Sequence, residues 1–343
     1  MGQASETKTE TKSFAGLEAA TRDAYGEVLY RLGLENPDIV VLDADLSSST
    51  KTSKFAKAFP ERFFNMGVSE QDMMATAAGL SLTGKIPFAS TFAIFATGRA
   101  WEQIRQSIVY SHLNVKIVAT HGGITVGEDG ASHQAIEDIA LMRVIPDMTV
   151  IVPADAYETE QVITEIVKFH GPVYVRLGRA KVKPVMPQDY RFTIGKAYAF
   201  DIGRDINIIA CGVMVREALL AREILNKKGI HTGVINMSTI KPLDGEMLTL
   251  VACARLIVTA EEHSIIGGLG GAVSEFLSET MPRPILRIGI RDTFGCSGSS
   301  SELMEYFGLT GEQIAQTILN KWSEVTESED KSLVSRRSRG SLV

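Results

Sequence analysis

The chain has 343 residues, with 35 Lys plus Arg against 41 Asp plus Glu and a formal charge of -6. That balance excludes a dedicated nucleic-acid binder, which needs a basic face for phosphates, and the length suits two domains with a core each. No apolar run approaches the roughly 18 residues of a membrane helix, and three scattered cysteines (Cys211, Cys253, Cys296) exclude a disulfide scaffold or a Cys-based zinc finger and suit a reducing cytoplasm.

Residues 1–14 hold too little apolar surface to fold and read as a disordered tail. Strand-like runs follow at 39–42, 115–119, 149–152 and 172–176, rich in Val and Ile. Helical patterns lie at 17–32, 71–82, 97–111, 134–144 and 156–169. This alternation implies a mostly parallel sheet covered on both faces, over residues 15–180. Lys and Pro residues break the rhythm at 181–204, an interdomain linker. A second set fills a smaller domain at 205–322, with strands at 206–210, 233–236, 256–258 and 284–288 and helices at 215–227, 268–277 and 311–321. A polar tail, 323–343, closes the chain. The fold class is α/β, two doubly wound domains. Such sheets bind ligands beyond the C-terminal ends of their strands.

Four clusters occupy such places. Asp43-Ala-Asp-Leu-Ser-Ser-Ser-Thr-Lys51 follows the first strand, and its hydroxyls either offer donors to a phosphate or cap the next helix. Glu70, behind the N-cap candidate Ser69, has the apolar neighbours Met66, Val68, Met73 and Met74. A desolvated carboxyl there suits general acid/base work, and a helix-dipole partner is the plainer reading. Phe92 and Phe95 form an i, i+3 aromatic pair, which is either core or one wall of a cofactor slot. The loop between Thr120 and Gln134 gathers His121, Glu128, Asp129 and His133 with four glycines. Glycines admit a ligand close to the backbone, and neutral histidines there handle hydroxyl protons. The alternatives are a surface loop with His133 paired to Glu137, or a metal site, although no known ligand spacing occurs. Gly267-Gly-Leu-Gly-Gly271 fails the dinucleotide pattern and reads as close packing at a helix start. Cys211 and Cys253 read as core.

The order of these motifs decides. Gly67-Val-Ser-Glu-Gln71, Ser90-Thr-Phe-Ala-Ile-Phe95, Thr120-His121 with Gly127-Glu-Asp-Gly-Ala-Ser-His-Gln134, Val150-Ile-Val-Pro-Ala-Asp155 and Arg176-Leu-Gly-Arg179 resemble the transketolase family. Ile240-Lys-Pro-Leu-Asp244 and Val258-Thr-Ala-Glu-Glu-His263 carry the resemblance into the second half. It implies a thiamine-pyrimidine-binding domain followed by the transketolase C-terminal domain. The cofactor would be thiamine diphosphate, with Glu70 hydrogen-bonded to N1′ of its aminopyrimidine and Phe92 and Phe95 packed around that ring. The position three past Phe95, often aromatic in the family, is Gly98. By the same resemblance His121, Asp129 and His133 contact the donor's first hydroxyls, with both histidines catalytic, and Ser49 and Arg179 lie near the substrate phosphate.

In the family a preceding domain with a Gly-Asp-Gly…Asn motif holds the diphosphate and Mg²⁺, and this sequence has no such motif. The resemblance therefore implies the C-terminal subunit of a split transketolase. Its separate N-terminal subunit would ligate the Mg²⁺, and the two would assemble as a dimer of heterodimers. The substrates would be sugar phosphates of the pentose phosphate pathway, in the cytoplasm, with neither nucleic acid nor membrane as partner. A 1-deoxyxylulose-5-phosphate synthase or a 2-oxo acid dehydrogenase beta subunit is the neighbouring alternative. The synthase carries Arg at the position of Phe95, and the beta subunits lack the Gly-Glu-Asp-Gly loop. A non-catalytic binding module of the same fold is the alternative from another class.

Overall fold

The computed structural model describes residues 13–340, and side chains as far as residue 327. The expected tail residues 1–12 and 341–343 lie outside it. In chain order the first strands are β1 (Ala19–Ala20), β2 (Ile39–Asp43), β3 (Phe63–Asn65), β4 (Ile86–Ser90), β5 (Lys116–Ala119), β6 (Thr149–Ile151), β7 (Val173–Arg176) and β8 (Lys181–Val182). Those of the second half are β9 (Tyr198–Asp201), β10 (Ile206–Ala210), β11 (Thr232–Asn236), β12 (Thr239–Lys241), β13 (Leu256–Ser264) and β14 (Ile285–Ile290).

Two main sheets result, ordered β12-β6-β7-β5-β4-β2-β3 and β14-β13-β10-β11-β9. The inner strands pair in parallel, and every residue of β2, β5, β7, β10 and β11 is buried. Helices cover both faces, which explains runs such as Ile39-Val-Val-Leu42 that are apolar throughout rather than alternating. This is the expected α/β class in two sheets.

The halves are interlocked. Strand β12, from the second half, closes the first sheet by pairing antiparallel with β6. The buried Glu158 carboxylate accepts from Ala154 N (2.6 Å), from Tyr190 Oη (2.7 Å) and, across the boundary, from Asn236 Nδ2 (2.9 and 3.0 Å).

Several expectations need correction. Residues 181–204 are more than a linker. Lys181–Val182 pairs with Ala19–Ala20, Tyr198–Asp201 edges the second sheet, and Met186, Tyr190 and Phe192 are buried. The helix expected at 134–144 begins only at Asp138, because Ala135 bridges to Gly122 and holds the chain extended. The tail expected from Ser323 continues the helix Gly311–Gly340, since Val325 is buried and Trp322 packs on the core. At the other end Ser13 and Phe14 are held by Glu160. Cys211 is buried as expected, whereas Cys253 is exposed in the turn that follows Gly245–Val251. Among the described residues no helix is long and apolar enough to cross a membrane.

Candidate active site

Glu70 opens the helix Glu70–Leu82 and is only 4% exposed. Ser69 is its N-cap, but makes no side-chain capping bond. Met73 and Met74 bury the helix behind it, while Val68 is 74% exposed and does not help to desolvate the carboxyl. Val68 instead rims a cavity of about 410 Å³, lined also by Ser69, Glu70, Gln71 and Arg99. Across it Arg99 donates to Glu70 Oε1 at 3.0 Å and lies 4.2 Å from the Phe95 ring centre. Arg99 ends a π-helical turn, Phe95–Arg99, a local distortion that recurs at functional sites. A second π turn, Ile104–Val109, follows, so the helix expected at 97–111 is a π–α–π run.

From Phe95 the contacts continue without a gap. Phe92 stacks on Phe95 with centroids 5.7 Å apart, and on His121 at 3.7 Å. His133 sits edge-on to both rings, at 6.2 and 5.5 Å. Its Nδ1 meets Ser132 Oγ, the Glu137 carboxylate accepts from Ile136 N, and among the described residues no bond joins His133 to Glu137. His121 is 2% exposed and has φ +60°. Its Nε2 receives a hydrogen bond from Arg22 Nη1 (3.2 Å), and its Nδ1 lies 2.8 Å from Thr120 Oγ1. A guanidinium only donates, so Nε2 carries the lone pair and Nδ1 the proton. Burial, then the charges of Arg22 and Arg179, lower the His121 pKa to about 3. His121 is therefore neutral at any physiological pH.

Arg22 also donates to Ser49 O at 3.0 Å. Burial and the nearby Arg179 charge push its guanidinium down against the pull of Asp23. Arg179 donates to Val126 O (2.6 Å) and lies 3.4 Å from Asp129 and 3.7 Å from Glu128. A half-buried guanidinium whose charge is disfavoured, with a second guanidinium near it, suits an anion. Sequence reading overlooked Arg22. The signal was there: a cation in the first turn of the helix Thr21–Glu35, where the dipole favours an anion.

The hydroxyl run divides. Thr50 and Thr52 donate to the buried Asp43 at 2.6 and 2.9 Å and are structural, while Ser49 stays half-buried on a short helix beside Arg22. The glycine run at Gly267 is close packing. Glu261 accepts from Leu269 N and Gly270 N, and a Cβ at Gly268 would fall 2.0 Å from its carboxylate. No group of three or more metal-ligating side chains gathers among the described residues.

The transketolase pyrimidine-binding domain matches residues 18–184, and the transketolase C-terminal domain matches 195–314. The chain belongs to the transketolase family. A transketolase C-terminal section of Methanocaldococcus jannaschii is 53% identical over 310 residues, 90% of this chain and 98% of that protein. A 6-deoxy-6-sulfo-D-fructose transketolase subunit of Clostridium sp. (strain MSTE9) is 41% identical, over 90% of this chain and 95% of the relative. Among solved structures, a split-gene transketolase described as an inactive beta4 tetramer has a TM-score of 0.82 and 53% identity, covering 89% of this chain and 99% of that one. This transketolase-family chain thus pairs the pyrimidine-binding and C-terminal domains, and its likeness runs almost end to end along separate transketolase sections.

The family implies thiamine diphosphate, and the first sheet's residues fit its pyrimidine end. A buried carboxyl stands at the cavity, with two stacked phenyl rings at hand. No cluster suited to the diphosphate's metal accompanies them among the described residues.

Proposed function

We propose that this chain is the C-terminal subunit of a split transketolase that transfers a two-carbon ketol unit from a ketose phosphate to an aldose phosphate. A separate subunit would hold Mg²⁺ and the cofactor's diphosphate, in a dimer of heterodimers. The supporting observation is the unbroken string Glu70–Arg99–Phe95–Phe92–His121–Arg22–Ser49, which joins a buried acid to an anion-attracting pocket through aromatic and imidazole rings.

When bound, thiamine diphosphate supplies a carbanion and an electron sink. Glu70 would hold a proton at the pyrimidine N1′ position. Phe92 and Phe95 would flank that ring and keep water from it. Neutral His121, with His133 and Asp129, would bind the hydroxyls of the sugar, and the two imidazoles would carry their protons. Arg179, Arg22 and Ser49 would seat the phosphate, a guanidinium being suited to two-point contact with its oxygens. The sulfonated ketose in the Clostridium relative's name leaves the far end of the sugar as the variable part.

Co-expression with a subunit bearing a pyrophosphate-binding domain, followed by a ketol-transfer assay with pyruvate decarboxylation as the control, tests this reading. Glu70→Ala should lower kcat at least about 100-fold, the scale of a lost acid/base, while assembly by light scattering is unchanged. Near-normal turnover by that variant would refute the acid's role.

A further inference from the structure

The loop that carries His121, Asp129 and His133 is held from behind, by the second half of the chain. Glu262, near the end of β13, is buried and accepts a 2.5 Å hydrogen bond from Thr125 N in the middle of that loop. Gly123 makes room for it, since a Cβ there would lie 2.3 Å from the carboxylate, and its φ of +82° already suits glycine. The Glu262 carbonyl receives Arg176 Nη2 (2.8 Å), and the same nitrogen donates to Ala135 O (3.1 Å), at the loop's far end. Ser264 N donates to Ile136 O (2.8 Å), and Gln134 Nε2 donates to Cys296 O (2.9 Å). The loop's middle and its far end are therefore fastened to the C-terminal domain, while its near end is held by the first sheet through Gly122 N and Leu177 O (3.0 Å). Among the described residues, the carboxylate is the one side chain of that domain bonded to the loop's middle.

We propose that Glu262 is a positioning residue that sets the loop's height above the sheet, and hence where His121, Asp129 and His133 meet the sugar. This rests on the proposed ketol transfer for its catalytic meaning, but not for its geometry. Glu262 meets the loop at Thr125 and Gly123 and, among the described residues, makes no hydrogen bond to His121, Asp129 or His133. Its effect falls mainly on substrate, since Glu70, Phe92 and Phe95 are carried by other elements and meet the loop only through the rings of His121 and His133 and the Phe92–Thr120 bridge at its start. A residue that merely stabilised the fold would change Tm and leave the kinetic constants of the folded fraction alone.

The test uses two readouts. In the chain itself, hydrogen exchange over residues 122–134 should rise at least about tenfold in Glu262→Ala, and stay near wild type in Glu262→Gln, which keeps an acceptor for Thr125 N. In the assembled enzyme, Glu262→Ala should raise KM for the ketose phosphate by about tenfold or more. A misplacement of about 1 Å near the chemistry can cost up to about 100-fold. Half-saturation by thiamine diphosphate should move less than about twofold. If the alanine variant does not fold, Glu262→Asp, one methylene too short, replaces it with the same expected pattern. Unchanged exchange in a folded variant, unchanged KM, or an equal loss for cofactor and sugar would overturn the proposal. If the wild-type assembly shows no ketol transfer, the functional reading falls, and the exchange data still decide whether Glu262 holds the loop.

Discussion

His121 is where the physical chemistry of single residues becomes measurable without any substrate. Its ring is wedged between Phe92 and Arg22, and burial with two neighbouring guanidiniums keeps it neutral down to about pH 3. A free histidine titrates near 6.5. The unfolded chain therefore takes up a proton that the native chain refuses, and the stability this difference supplies is complete above about pH 6.5 and drains away as pH falls toward 3. Between pH 7.5 and 5 wild-type protein should lose about 2 kcal/mol more unfolding free energy than His121→Gln, whose amide meets the same partners without titrating. Urea midpoints at the two pH values measure this, and parallel losses in both proteins would show that His121 is not held neutral. The sequence showed a histidine in a glycine-rich loop, but not its ring neighbours: Phe92 is 29 positions away and Arg22 is 99. Glu70, Phe92 and Phe95 were legible because their local motifs are compact. Arg22 and Glu262 were not, because each acts on the site from another element.

Among the elements, those whose pattern is dictated by burial on both faces were the readable ones. Strand β10 falls at 206–210 as its Ile-Asn-Ile-Ile-Ala run predicts, and the helix Ala156–Lys168 ends one residue from expectation. Strand β4 escaped notice because Pro87 interrupts it, a residue usually confined to edges. Strands β3 and β12 are three residues each, too short for a period to show. The helix Ala156–Lys168 also illustrates how one cap serves distant backbone. Asp155 accepts from Glu158 N at 2.8 Å through one oxygen, and from Val185 N (2.8 Å) and Met186 N (2.9 Å) through the other. The cap alone is worth about 1 kcal/mol, and each buried N–H left unpaired costs about 1–3 kcal/mol. Asp155→Ala should therefore lose about 3 kcal/mol in urea denaturation at constant m, and Asp155→Asn, which keeps one acceptor oxygen, distinctly less. A loss under about 1 kcal/mol for the alanine variant would mean that water replaces the carboxylate.

At the scale of the whole molecule, the two sheets invite description as two domains, yet their connections predict one folding unit. Removing the second half would strip β12 from the edge of β6 and expose that edge's backbone groups. It would also take Asn236 from Glu158, and Lys241, whose Nζ donates to Arg143 O and Ile145 O, from the end of the helix Asp138–Arg143. A carboxyl buried as fully as Glu158, whose desolvation pushes its pKa up, is tolerated only while its donors stay in place. Opening the boundary therefore destabilises both sides together, where chains of two domains ordinarily unfold in steps. Scanning calorimetry should show a single transition whose calorimetric and van't Hoff enthalpies agree. Asn236→Leu, which removes one of the carboxylate's three donors while filling similar volume, should lower Tm by several degrees, the shift expected for a loss of about 1–3 kcal/mol. The transition should remain single, because β12 and the loop contacts still tie the sheets together. Two resolved transitions in the wild-type chain would mean that the boundary is a hinge, and that the loop's attachment to the C-terminal domain breaks before either sheet melts.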